Sequence, residues 1–247
     1  MSTNYAFLHG GGQGSWVWQS TITALAQQTS AAQLQTLALD VPGCGLKRGR
    51  QTDSLNIASI AEELIQDIEK RFTNNVVLIG HSQAGQAMCF MAKQRPELFK
   101  RLIYISCSIP LAGQNIQQMI GNGLQGENDK EIGWPLDPAS SNINDQYTAM
   151  FCNDMDTEQT KHFLAALGQD IWPPSTYTHT DWPYEHLGDI PASYIVCLKD
   201  MSLPAAWQST FADRFKAQRT IAIDAGHQIM LTRPHELAET LRTEANL

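Results

Sequence analysis

The sequence predicts an α/β protein: a mostly parallel sheet of about six strands flanked by helices, with a helical cap inserted late in the chain. Three observations predict it. Short apolar and β-branched runs recur between turn residues, amphipathic stretches separate them, and one segment of roughly 80 residues breaks that alternation. A structureless loop of such length is out of place in a compact domain, so the segment should carry its own helices.

In chain order, the candidate strands are Tyr5 to Leu8, Thr36 to Leu39, Val76 to Ile79, Leu102 to Ile105, Tyr194 to Leu198 and Thr220 to Ile223. Their near-continuous apolar character suits strands covered on both faces. Between the second and third, Ile57, Ile60, Ala61, Leu64, Ile65, Ile68 and Phe72 repeat at helical spacing, with Glu62, Glu63, Asp67 and Lys70 on the opposite side. The alternation stops after Ser108 and resumes near His186; within that stretch only Asp156 to Leu167 has a clear helical pattern. The predicted organisation is therefore a first core part over 1–107, a cap insertion over 108–186 and a second core part over 187–247.

Composition narrows the function. Of 247 residues, 43% are hydrophobic and 17% charged, which is the balance of a folded globular chain. No apolar run approaches the ~18 residues that would cross a bilayer, so no membrane partner is expected. Lys and Arg number 17 against 25 Asp and Glu, a net charge of −8 that repels a phosphate backbone and excludes nucleic acid as a partner. The opening Met1 to His9 lacks a basic segment followed by a long apolar one, so a cytoplasmic protein is expected. The five cysteines, Cys44, Cys89, Cys107, Cys152 and Cys197, include no CxxC pair. They read as buried free thiols rather than as disulfides or metal ligands.

The most informative segment runs from Val76 to Met88: an apolar strand, then Gly80-His81-Ser82-Gln83-Ala84-Gly85, then a helix-compatible run. A small-x-Ser-x-small turn between strand and helix leaves no room for larger flanking side chains and pushes the serine hydroxyl outward. Ser82 is the candidate nucleophile, with Ala84 standing where a second glycine is usual. A serine hydroxyl needs a base, and the base needs a carboxylate to orient it. His227 follows the last strand in Asp224-Ala225-Gly226-His227, and Asp200 follows the penultimate strand, where ligands gather in open parallel sheets. The other histidines, His9, His81, His162, His179, His186 and His235, fall in turn motifs, the cap or the start of the last helix. Asp224 reads as a solvated loop acid, and the end of the strand before the penultimate one, at Cys107-Ser108, holds no carboxylate.

An acyl-transfer site also needs donors for the oxyanion. The loop His9-Gly10-Gly11-Gly12 after the first strand lets backbone approach a ligand, and the expected donors are the Gly11 and Gln83 N–H groups. A nucleotide-binding loop fails on spacing, because there is no GxxxxGK[ST] and no acidic residue suitably placed after a second strand.

Together the His9-Gly10-Gly11 loop, Trp16-Val17-Trp18, Asp40-Val41-Pro42-Gly43, Gly80-His81-Ser82, Asp200 to Pro204 and Gly226-His227 resemble the α/β-hydrolase fold. The likeness is to its compact branch of methyl-ester esterases, hydroxynitrile lyases and bacterial carboxylesterases. It covers both core parts and weakens in the cap. Ser82 argues against the relatives of this fold that use a carboxylate nucleophile, the haloalkane dehalogenases and epoxide hydrolases. Hydroxynitrile lyases of the branch typically carry Thr after the loop histidine and Lys after the catalytic one, where this chain has Gly10 and Gln228.

The expected function is hydrolysis of small carboxylic esters through an acyl-enzyme, needing no cofactor and no metal. Gly10, Trp134, Phe151, Trp172, Met201 and Leu203 are the candidate substrate-pocket residues. The alternatives are hydroxynitrile-lyase-like or carbon–carbon bond cleavage on the same triad, or a receptor-like protein that binds a small molecule. The surface could support a homodimer.

Overall fold

The computed structural model describes residues 3–30, 33–120, 133 and 135–247. All six expected strands form: β1 (Thr3–Leu8), β2 (Leu34–Leu39), β3 (Val76–His81), β4 (Phe99–Ile105), β5 (Ala192–Cys197) and β6 (Arg219–Ile223). They make one parallel sheet in the order β2-β1-β3-β4-β5-β6. The helices are α1 (Gln19–Gln28), α2 (Ile57–Glu69), α3 (Ala84–Gln94), α4 (Ile116–Ile120), α5 (Ile143–Phe151), α6 (Thr157–Ala166), α7 (Ser175–Thr178), α8 (Ala205–Arg214), α9 (Ile229–Thr232) and α10 (Pro234–Ala245).

Strand alternation divides the core into two layers, because successive side chains leave a strand on opposite faces. Tyr5, Phe7, Val77, Ile79, Ile103, Ile105 and Ile195 pack with Leu25 of α1, Ile229 of α9 and Leu237 and Leu241 of α10. Ala6, Leu8, Leu78, Tyr104 and Tyr194 pack on the other face with Ile60 and Leu64 of α2, Met88 of α3 and Phe211 of α8. The expected stripe on α2 is the buried one, and an Asn56–Ser59 capping box fixes where the helix starts. Phe72 lies beyond the helix end and is still buried.

The two edge strands depart from the expectation of full coverage. Residues of β1, β3, β4 and β5 are almost all buried, whereas β2 is half-buried and β6 exposes Arg219, Thr220 and Ala222. An edge strand has a neighbour on one side only, so its backbone and part of its side-chain surface stay in water.

The segment between β4 and β5 contains α4 to α7 and no strand among the described residues. Asp156 caps α6, matching the expected helix there. The last part of the segment joins the main core: Trp172, Trp182 and Leu187 are buried in the same layer as α2 and α3. All five cysteines are buried and unbridged.

The sheet order places the functional loops. The chain moves from β1 to β2 on one side and then returns to add β3 on the other, so the carboxyl ends of β1 and β3 flank a switch point, where open α/β sheets bind ligands. Asp170 ties down the rim beside it. Its Oδ1 accepts from the Gly45 N–H at 2.8 Å and from Arg48 Nε at 2.8 Å, and its Oδ2 accepts from Trp16 Nε1 at 3.1 Å. Burial pushes the Asp170 pKa up, but these hydrogen bonds outweigh it and hold the carboxyl below its ordinary value.

A depressed folded-state pKa contributes stability above the unfolded value, lost as pH falls through the folded one. Asp170→Asn should therefore flatten the loss of unfolding free energy as pH falls through and below the ordinary carboxylate range, read from urea titrations at each pH. Gly85 supplies a second test. A Cβ there would sit 2.6 Å from Phe215 Cζ and 3.0 Å from Cys107 Cβ, so α3 can approach the sheet only without a side chain at this position. Gly85→Ala should cost about 1–3 kcal/mol of stability by overpacking, measured as a shift in the urea midpoint.

Candidate active site

Ser82 sits on the turn between β3 and α3 with φ +55°, a left-handed conformation that a non-glycine residue adopts at a cost of about 1–2 kcal/mol. The Ser82 N–H donates to the Ile105 carbonyl at 3.1 Å, anchoring the turn to β4. Its hydroxyl donates to His227 Nε2 at 3.1 Å, and His227 Nδ1–H donates to Asp200 Oδ2 at 2.7 Å. The three side chains expected to act together are joined by hydrogen bonds across 145 residues of sequence. The bond to Asp200 fixes the imidazole tautomer with its Nε2 lone pair facing Ser82.

The Asp200 side chain is wholly buried. Its Oδ1 accepts from the Ser202 N–H at 2.8 Å and the Leu203 N–H at 2.7 Å, while Oδ2 accepts from the Ser106 hydroxyl as well as from His227. These bonds offset the cost of removing a carboxylate from water. Ser106, at the end of β4, was not among the expected site residues. A serine gives no sequence signal of contact with an acid 94 residues away. Its own backbone is left-handed, φ +43°.

The remaining histidines separate by environment. His81 Nε2–H donates to the His227 carbonyl at 2.8 Å, steadying the backbone of the imidazole loop. Burial holds the His81 pKa well below the ordinary histidine value, with the neighbouring His227 adding to the effect, so His81 is neutral. His9 accepts from the Val41 N–H at Nε2, 3.2 Å, and donates from Nδ1 to the Gly10 carbonyl, 2.8 Å. Burial lowers its pKa too. Asp224 is an exposed partner of Lys199, 2.7 Å apart, in keeping with a solvated loop acid.

Gly11 and Gln83 face one another across the carboxyl ends of β1 and β3, close enough that a Cβ on Gly11 would overlap the Gln83 side chain. Neither backbone N–H donates to a protein acceptor among the described residues. Both border the cavity that contains Ser82 and His227. Two unspent amide donors beside a serine hydroxyl have the makings of an oxyanion site.

That cavity, of about 460 Å³, lies between the sheet edge and the cap helices, walled chiefly by Ile116, Met119, Tyr147, Met150, Phe151 and Leu167. Of the expected pocket residues, Phe151 lines it, its ring 5.4 Å from that of His227. Trp172 does not. A buried indole N–H requires an acceptor, and Trp172 Nε1 finds the Gly10 carbonyl at 3.1 Å, so the ring props the glycine loop from behind. Gly10 is likewise a backing residue, since a Cβ there would sit 3.0 Å from Ser82 Cβ. Leu203 is drawn into the core by the turn that gives its N–H to Asp200, and Met201, 43% exposed, does not line the cavity. Trp134 lies outside the described residues.

Sequence reasoning also missed Gln13, whose Nε2 donates to Gln228 Oε1 at 3.1 Å and so joins the glycine loop to the imidazole loop. No group of three or more His, Cys, Asp or Glu side chains able to hold a metal occurs among the described residues. Nor is any helix among them long and apolar enough to cross a membrane.

Comparison with known proteins places the fold. A profile of the alpha/beta hydrolase family matches residues 6–240. Polyneuridine aldehyde esterase of Rauvolfia serpentina is 23% identical over 256 residues, spanning 96% of this chain and 94% of its own. Among solved structures, a pyrethroid hydrolase from Sphingobium faniae superposes with TM-score 0.75 at 19% identity, covering 100% of this chain and 98% of its own. An extracellular alpha/beta-hydrolase from a Paenibacillus species, described as sharing structural and functional homology with tobacco salicylic acid binding protein 2, superposes with TM-score 0.75 at 18% identity, over 98% of each chain. The parallel sheet, the strand-to-helix serine turn and the profile match agree: this chain belongs to the alpha/beta hydrolase family, as a carboxylesterase-like member.

Proposed function

We propose that the chain hydrolyses small carboxylic esters with Ser82 as nucleophile, His227 as general base and Asp200 as the acid that orients it. The observation that carries this reading is the continuous hydrogen-bonded path from Ser82 Oγ through the His227 ring to the buried Asp200. In the first step His227 takes the hydroxyl proton as Ser82 Oγ attacks the ester carbonyl. Gly11 and Gln83 N–H groups receive the oxyanion, and the alcohol departs with the proton returned by His227. Water, deprotonated by the same imidazole, then attacks the acyl-serine and releases the carboxylic acid.

The largely apolar cavity wall favours an ester with an apolar acyl or alcohol part, because burying such surface contributes about 25 cal/mol per Å². Polyneuridine aldehyde esterase, an esterase by name, lends weight to the same class. The lyase alternative is disfavoured by a particular residue. The position after His227 is Gln228, a fully buried amide bonded to Gln13, which offers no positive charge to a departing cyanide.

Ser82→Ala should abolish turnover of a short p-nitrophenyl ester while leaving the circular dichroism unchanged, and a fluorophosphonate should label Ser82 alone, seen by peptide mass spectrometry. Turnover retained in that variant removes Ser82 from the mechanism. Asp200→Asn should lower kcat by up to about 10⁴-fold, because it reverses the donor needed to hold the imidazole tautomer; a loss below tenfold points to a different carboxylate. Ser106→Ala, which deletes one charge-assisted hydrogen bond worth about 1.5–3 kcal/mol to Asp200, should lower kcat by roughly 10-fold, with steady-state kinetics as the check.

A further inference from the structure

The short turn that follows α5 in the cap touches both loops that carry the imidazole and the carboxylate. Asp154 Oδ2 accepts from the Gly226 N–H at 2.8 Å, immediately before His227, and from Thr232 Oγ1 at 2.9 Å, on α9 just after it. Asn153 Nδ2 donates to the Lys199 carbonyl at 2.8 Å, immediately before Asp200. The two loops also bond directly, Lys199 N–H to the Ala225 carbonyl at 2.9 Å. Gly226 leaves room for this docking: a Cβ there would sit 2.5 Å from Asp154 Oδ1 and 2.7 Å from Asn153 Oδ1. Two residues before Asn153, Phe151 is both a wall of the cavity and a neighbour of the His227 ring.

We propose that Asn153 and Asp154 are positioning residues through which the cap holds His227 and Asp200 in catalytic register. The inference rests on the Ser82, His227 and Asp200 reading above and adds to it. On the core side the imidazole loop is held by His81 and by the Lys199 N–H; on the cap side it is held by Asp154. Because the pocket wall and the brace lie within four consecutive residues, 151–154, a movement of α5 that widened the cavity would also loosen the imidazole loop. Substrate seated against Phe151 therefore favours the arrangement in which His227 faces Ser82. A misplacement of about 1 Å at such a base costs up to about 100-fold in rate without altering the fold, which sets the size of the expected effect.

The test compares wild type, Asp154→Ala, Asp154→Asn, Asn153→Ala and Gly226→Ala by three measurements: p-nitrophenyl acetate kinetics, the rate of Ser82 labelling by an alkyl fluorophosphonate, and Tm. The inference expects Asp154→Ala to lower kcat and the labelling rate together by about 10- to 100-fold, with KM changed by less than about threefold. Asp154→Asn, which keeps an oxygen acceptor for the Gly226 N–H but loses the charge, should return to within about fivefold of wild type. Gly226→Ala displaces the turn without deleting a polar group and should reproduce the loss; combined with Asp154→Ala it should cost no more than the worse single change. If Asp154→Ala does not fold, Asn153→Ala and Gly226→Ala carry the same comparison.

Folded variants that label and turn over at the wild-type rate overturn the inference. So does a loss confined to KM, or a strictly additive double variant. A wild-type protein that neither labels at Ser82 nor turns over ester defeats the triad reading itself, an outcome separate from a brace that fails while the wild type is active.

Discussion

Everything at the carboxyl edge of the sheet depends on how one buried carboxylate is held beside one imidazole. Asp200 has no exposed side-chain surface, and it is tolerated there because the Ser202 and Leu203 N–H groups, the Ser106 hydroxyl and His227 Nδ1 all donate to it. Removing a charge from water costs several kcal/mol unless such donors replace the lost solvent. The same arrangement orients the His227 ring, so burial and tautomer are set by a single constellation. Ser82 meets the far side of that ring, and the left-handed turn at φ +55° brings it there.

The sheet makes that meeting robust by placing the contributing loops side by side. The β1 loop and the serine turn are neighbours because β1 and β3 pair; Ser106 lies between Ser82 and Asp200 because β4 lies between β3 and β5. Around this row the loops are cross-tied by buried polar contacts: His81 to the His227 carbonyl, Gln13 to Gln228, Trp172 to the Gly10 carbonyl. Each is a net contribution of about 0.5–1.5 kcal/mol, small beside the core but sufficient to choose among loop conformations that differ by similar amounts.

The segment between β4 and β5 supplies much of the shape of the cavity beside the sheet. Its α4 and α5 and the residues after α6 give the cavity an apolar wall. The later residues of the insertion, Trp172, Trp182 and Leu187, fill the core beside α3 instead of covering substrate. The insertion therefore does two jobs, and its sequence does not advertise the division, since large apolar residues serve both packing and recognition.

Much of this was legible in the sequence because it is local. All six strands, the α2 stripe from Ile57 to Ile68, the serine turn at Gly80 to Gly85 and the order Ser82, Asp200, His227 follow from short-range periodicity and from turn residues that only certain backbones accept. Ser106, Gln13, Asn153 and Asp154 are not legible there, and Trp172 and Leu203, expected in the pocket, lie in the core and do not line the cavity. A polar side chain 72 residues from the backbone it holds, as Asp154 is from Gly226, leaves no pattern in composition or spacing. Local steric and hydrophobic preferences determined which elements form and which chemistry they carry; only the packed arrangement decided which distant hydrogen-bonding groups had to find each other once water was excluded.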